Sequence, residues 1–97
     1  MYKIVFTKQA LKDLENLKKS GISSKAKILV DMIRENPYQN PPRYEKLVGN
    51  LEGILSRRIN IQHRLVYQVY EKNFAENDTE YRGTIKIIRM WTHYDGL

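Results

Sequence analysis

The chain has no cysteine. That excludes a disulfide-stapled scaffold, a thiolate metal site and a cysteine nucleophile. It has two histidines, His63 and His93, with no HxH or HxxxH spacing, so a histidine-built metal site is not expected. Neither a glycine-rich phosphate loop nor a GxSxG elbow is present. No uninterrupted apolar run exceeds three residues, so no segment reads as a membrane span. The first residues, Met1-Tyr2-Lys3-Ile4-Val5-Phe6, lack the layout of a signal peptide. The expectation is a soluble, cytoplasmic chain with no metal and no cofactor.

Negative charge is also in short supply. Eleven Asp+Glu face seventeen Lys+Arg, for a net charge of +6 over 97 residues. Such a balance suits an anionic partner, whether RNA, DNA or an acidic protein, although solubility alone also accounts for it. The length allows one core, so residues 1–97 are expected to form a single domain.

The apolar pattern divides the chain. Tyr2 to Thr7 alternates and is rich in β-formers, which predicts a strand. Thr7 is placed to cap a helix over 8–20, with Ala10, Leu11, Leu14 and Leu17 on its apolar face and Gly21 as its stop. Ser23 or Ser24 is placed to cap a second helix, carrying Ala26, Leu29, Val30 and Ile33 and ending before Pro37. The short link predicts an antiparallel helical hairpin.

Asn36 to Gly53 holds all three prolines and has no period, so it reads as a long loop. Strands are predicted over 54–60, 64–70 and 84–92. The first two form a hairpin, with Leu65, Tyr67 and Val69 on one face; the last is the most apolar and is expected to be central. Lys72 to Tyr81 reads as a polar turn region. The order β-α-α-β-β-β predicts an α+β fold, a helical hairpin packed on an antiparallel-rich sheet.

Five basic residues (Arg43, Lys46, Arg57, Arg58 and Arg64) lie between positions 43 and 64 against two acids, Glu45 and Glu52. Arginines on strands suit phosphate contacts. Arg57 and Arg58 are adjacent on a strand, so at most one of them faces a given site. With metal and thiol chemistry set aside, acid–base chemistry at phosphate remains. RNA can be cut through its own 2′-OH, given a base for that hydroxyl, positive charge for the phosphorane and an acid for the 5′-oxygen. Glu45, the arginine strands and His93-Tyr94 are residues of those kinds. His63, at the predicted turn, reads as structural.

The stretches Glu45-Lys46-Leu47, Asn50-Leu51-Glu52-Gly53, SRRIN-x-x-HRLVY from Ser56 to Tyr67, and the late His93-Tyr94 resemble the YoeB/Txe toxins of the RelE/ParE superfamily of bacterial toxin–antitoxin modules. The resemblance implies a fold similar to microbial ribonucleases and a ribosome-dependent mRNA endonuclease that cuts A-site codons. It implies Glu45 as general base, Arg64 as transition-state stabiliser, His93 as general acid and Tyr94 as an orienting group. Arg57 and Arg58 would hold phosphates, and Lys46 completes the expected RNA-binding set. The implied partners are an acidic YefM-like antitoxin, the ribosome and mRNA, and a second copy in a homodimer. The sequence departs from the family in its Asp95-Gly96-Leu97 tail, its Met90-Trp91-Thr92 approach to His93 and its Lys72–Tyr81 segment. The alternatives are a ParE-like inhibitor of gyrase, which does not need Glu45 and His93 together with the arginines, a non-catalytic nucleic-acid-binding module, and an antitoxin-like scaffold, which the high pI disfavours.

Overall fold

The computed structural model describes residues 1–47 and 53–91. The elements run β1 (Tyr2–Phe6), α1 (Lys8–Lys19), α2 (Ser23–Glu35), β2 (Tyr44–Lys46), β3 (Ile54–Arg58), β4 (Arg64–Tyr70), β5 (Phe74–Glu76), β6 (Thr79–Tyr81) and β7 (Gly83–Arg89). Five strands form one sheet in the order β1-β7-β4-β3-β2, and β5 pairs only with β6. The β1–β7 pair is parallel and the other pairs are antiparallel. Both helices pack on the sheet through Ala10, Leu17, Ala26, Val30 and Ile33, against Leu55, Leu65, Tyr67, Ile85 and Ile87. The α+β reading holds, with β7 inside the sheet as its apolar character predicted. Neither helix is long and apolar enough to cross a membrane.

Local chemistry sets the ends of α1. The Thr7 hydroxyl accepts the Ala10 N–H at 3.0 Å, as its capping position requires. At the other end Gly21 adopts φ +74°. Gly21 N–H then reaches Lys18 O at 3.1 Å and Ile22 N–H reaches Leu17 O at 3.0 Å, the double closure of a Schellman turn. That turn runs straight into α2, so Ile22 sits at the second cap with no side-chain bond and Ser23 is already helical. The expected serine cap is therefore absent. Leu11 is a second correction. It is half exposed, and Asp13 takes its place on the buried face, because 10, 13, 14 and 17 follow the helical period and 11 falls about 100° off it.

Asp13 is fully buried and fixes α1 to β7. Its carboxylate accepts from Arg89 Nε at 2.8 Å, from Met90 N–H at 3.0 Å and from Gln9 Nε2 at 3.0 Å. By taking the Met90 N–H it withdraws that donor from the sheet, which is why β7 stops at Arg89 rather than continuing as predicted. Burial pushes the Asp13 carboxyl up, but Arg89, the Met90 N–H and Gln9 outweigh it and hold the group below the ordinary carboxylate value.

Three strands were not anticipated. β2 lies within the proline loop and pairs with β3, Tyr44 opposite Arg57 and Glu45 opposite Ser56. β5 and β6 form a hairpin around Asn77 and Asp78, both at positive φ, as a two-residue primed turn requires. Lys3 and Glu76 form an ion pair that ties this hairpin to β1.

The proline loop is bolted to the sheet by Arg57, whose side chain is fully buried. Its Nε donates to the Tyr67 hydroxyl at 2.8 Å, Nη2 to Pro37 O at 3.0 Å, and Nη1 to Pro42 O. The guanidinium carbon lies 4.8 Å from the centre of the Tyr44 ring. Tyr67 in turn donates to Pro37 O at 2.7 Å. Burial pushes that phenol up, and Arg57 offsets this only partly, so Tyr67 keeps the proton it donates. Nearby, the Tyr38 and Tyr2 hydroxyls both donate to Glu71 Oε1, at 3.1 and 2.7 Å. Burial and the Glu71 carboxylate push Tyr38 up to about 12.

Arg57→Ala should lower stability in denaturant titrations by about 3–5 kcal/mol, the scale for breaking a buried charged network. Arg58→Ala should stay within about 0.5 kcal/mol of the parent, as exposed substitutions do. Equal losses would contradict the strand register. Asp13 gives a pH test. Because its folded pKa is depressed, its contribution is complete above the ordinary carboxylate value of about 3.9 and is lost as pH falls through the folded value. From about pH 6 to pH 3 the parent should lose more stability than Asp13→Asn, which has no carboxylate to protonate; identical pH slopes would contradict the assignment.

Candidate active-site cleft

Strand alternation sorts the basic residues. Leu65 and Tyr67 point to the helices, so Arg64 and Val66 lie on the opposite face of β4. Cross-strand partners share a face, which puts Arg58 with Arg64, Ser56 with Val66, and Glu45 with Ser56 on that same side. Pro42, Arg43, Glu45, Arg58 and Arg64 line a cleft of about 300 Å³ there. Three cations and one carboxylate around a small opening suit a phosphodiester better than an apolar ligand.

Glu45 and Arg64 meet within the cleft. Arg64 Nη2 is 3.5 Å from Glu45 Oε1, with 14% and 42% of the respective side chains exposed. Arg64 Nε also donates to the Ser56 hydroxyl at 2.6 Å. Arg64 is therefore a mostly covered cation with its tip at the cleft, and Glu45 is a carboxylate that water and ligand can reach.

The remaining expected residues fall differently. Arg58 is exposed and lines the cleft. Arg57 does not hold phosphate: it is sealed inside the molecule, and its three donor nitrogens are committed to Tyr67, Pro42 and Pro37. Alternation separates it from Arg58. Lys46 shares the face of Leu55, its partner on β3, so it projects away from Glu45 and is not among the cleft residues. His93 and Tyr94 lie outside the described residues, as do Asn50, Leu51 and Glu52 of the family-like stretch. His63 is buried, with its ring centre 4.1 Å from that of Trp91 in a stack inclined by 19°. Its backbone N–H donates to Asn60 Oδ1 at 2.7 Å, consistent with a structural place at the turn. Among the described residues, no three His, Asp or Glu side chains converge as a metal site would need.

Sequence reasoning counted Arg43 in the basic cluster without placing it at the site, missed Pro42, and gave no role to Ser56. The pairing of β2 with β3 brings the loop residues to Arg64, and a three-residue strand offers no period by which to see it; Ser56 reaches Arg64 across the β3–β4 hairpin.

Comparison with known proteins identifies the family. A family model for the YoeB-like toxin of bacterial type II toxin–antitoxin systems matches residues 6–94. A Toxin YoeB from Synechocystis sp. is 35% identical over 75 residues, covering 73% of this chain and 85% of that protein. The YoeB/ParE toxin from Agrobacterium tumefaciens superposes with a TM-score of 0.76 at 26% identity, over 95% of this chain and 99% of that one. The toxin in the YoeB–YefM complex from Staphylococcus aureus gives a TM-score of 0.70 at 32% identity, over 97% and 99%. A family model that matches nearly the whole chain, together with a relative at 35% identity, places this chain in the family of YoeB-like toxins of bacterial type II toxin–antitoxin systems.

Proposed function

We propose that the chain is a ribosome-dependent mRNA endonuclease that cuts the codon in the ribosomal A site by metal-independent acid–base catalysis. The observation that carries this reading is the convergence of Glu45, Arg58 and Arg64 on one cleft. Glu45, the reachable carboxylate, takes the proton of the 2′-OH. The 2′-oxygen attacks the adjacent phosphorus in line, forming the 2′,3′-cyclic phosphate as the bond to the 5′-oxygen breaks. Arg64 meets the charge that grows on the phosphorane oxygens, and its covered setting strengthens that interaction. Arg58 and Arg43 hold flanking phosphates. His93 returns a proton to the leaving 5′-oxygen and Tyr94 orients the RNA; these two roles rest on the family resemblance.

In this reading residues 1–97 act as one cytoplasmic toxin domain. Its net charge of +6 suits both the ribosome and an acidic antitoxin. The Staphylococcus aureus relative solved with YefM supports an antitoxin of that kind, and the same organism's YoeB dimer supports a homodimer.

The test is cleavage-site mapping on mRNA held by stalled ribosomes. The parent should cut within the A-site codon and leave a 5′-OH on the downstream fragment. Glu45→Gln, Arg64→Ala and His93→Gln should each slow cutting by about 10²–10⁴-fold, the range for one acid–base or charge-stabilising group. Arg58→Ala should chiefly weaken ribosome binding and reduce its salt dependence. No cuts by the parent on ribosome-bound or free RNA would favour a gyrase-directed toxin.

A further inference from the structure

One end of the Arg64 guanidinium is held by a side chain that carries no charge. Ser56 lies on β3, directly opposite Glu45 on one side and Val66 on the other, and is fully buried. It stands between the expected base and the expected cation. Its hydroxyl is 2.6 Å from Arg64 Nε, the donor nearest the backbone end of the guanidinium. Arg64 Nη2, by contrast, is 3.5 Å from Glu45 Oε1, longer than the ~2.7–2.9 Å of a charge-assisted hydrogen bond.

We propose that Ser56 is a positioning residue, whose hydroxyl holds the Arg64 guanidinium toward the cleft and keeps it from closing onto Glu45. The inference rests on the nuclease reading. An arginine side chain has several rotatable bonds, and its planar fork pairs most strongly with a carboxylate through two parallel N–H···O bonds. Among the described residues, Glu45 is the carboxylate within reach on this face. With Nε engaged by Ser56, the plane of the guanidinium is set by a neutral acceptor and the ion pair stays long. Without that acceptor, a mostly covered Nε lacks its partner, and such a donor turns toward whatever acceptor it can reach. A closed Glu45–Arg64 fork would occupy the lone pairs a base needs and the donors a phosphorane needs. Serine suits the position because its oxygen is one bond from Cβ and fits a fully buried slot between two strands.

The experiment is single-turnover cleavage of A-site mRNA on programmed ribosomes by the parent, Ser56→Ala, Ser56→Thr, Arg64→Ala and the Ser56→Ala/Arg64→Ala double variant, with ribosome concentration varied. Ser56→Ala should lower the rate at saturating ribosome by about 10–100-fold, the scale of a small misplacement of a catalytic group, and leave the half-saturating concentration unchanged. Ser56→Thr keeps the oxygen and should recover most of the rate. The double variant should be no slower than Arg64→Ala alone, because Ser56 acts through Arg64. A Ser56→Ala rate equal to the parent's would overturn the proposal. So would losses that simply multiply in the double variant, or a Ser56→Thr rate as low as that of Ser56→Ala. A parent that cuts nothing sinks the nuclease reading itself and this role with it.

Discussion

The cleft depends on one buried guanidinium. Arg57 sits among core residues, its donors engaged by two loop carbonyls and a tyrosine hydroxyl and its face against the Tyr44 ring. Taking a cation out of water costs several kcal/mol, so it persists only where its donors are satisfied. Here that requirement works as a constraint on the backbone. Pro37 and Pro42 must present their carbonyls to Arg57, and the chain between them is pinned at both ends. Pro42 leads within two residues into β2, and β2 carries Glu45. A sheet residue with no path to the ligand thus fixes where the expected base can be.

The pleat does the rest of the sorting. Arg57 and Arg58 are neighbours in sequence with opposite fates, one a structural bolt and the other a cleft cation, because successive side chains leave a strand on opposite faces. The same rule parts Glu45 from Lys46. A basic stretch that looks uniform in sequence therefore resolves into two settings, Arg57 fastened inside the molecule and Arg58 and Arg64 lining the cleft on the other face. Asp13 repeats the device on α1: a charge placed on the buried face of a helix, tolerated because Arg89, Gln9 and the Met90 N–H surround it.

Much of this was legible beforehand. The two helices, the three long strands and the α+β class followed from period and capping, and the Ser56–Tyr67 stretch pointed to the family. Glu45, Arg58 and Arg64 were named from sequence, and the fold gathers them. What could not be read depended on pairing between distant segments. Nothing local distinguishes Arg57 from Arg58 until Tyr67 and the loop carbonyls are in place. The β2 strand is too short to show alternation, so Arg43 had no visible link to Arg64, and nothing local marks the Ser56 hydroxyl as the partner of Arg64 across the expected hairpin. The β5–β6 hairpin lies within Lys72–Tyr81, which reads in sequence as a polar turn region without strands. Leu11 and Asp13 show the remaining difficulty: hydrophobicity suggested the wrong member of a helical face, and contacts with Arg89, Gln9 and the Met90 N–H make the carboxylate a core residue.

The account turns on whether the face bearing Glu45, Arg58 and Arg64 is where RNA is held for cleavage. The most direct measurement is a structure of the protein on a programmed ribosome whose A-site codon carries a 2′-O-methyl group at the scissile position, which blocks attack and preserves the substrate. The account predicts the scissile phosphate within hydrogen-bond reach of Arg64, a flanking phosphate on Arg58 and the methylated 2′-oxygen beside Glu45. Density for the codon on any other face, with the cleft turned away from the message, would contradict it.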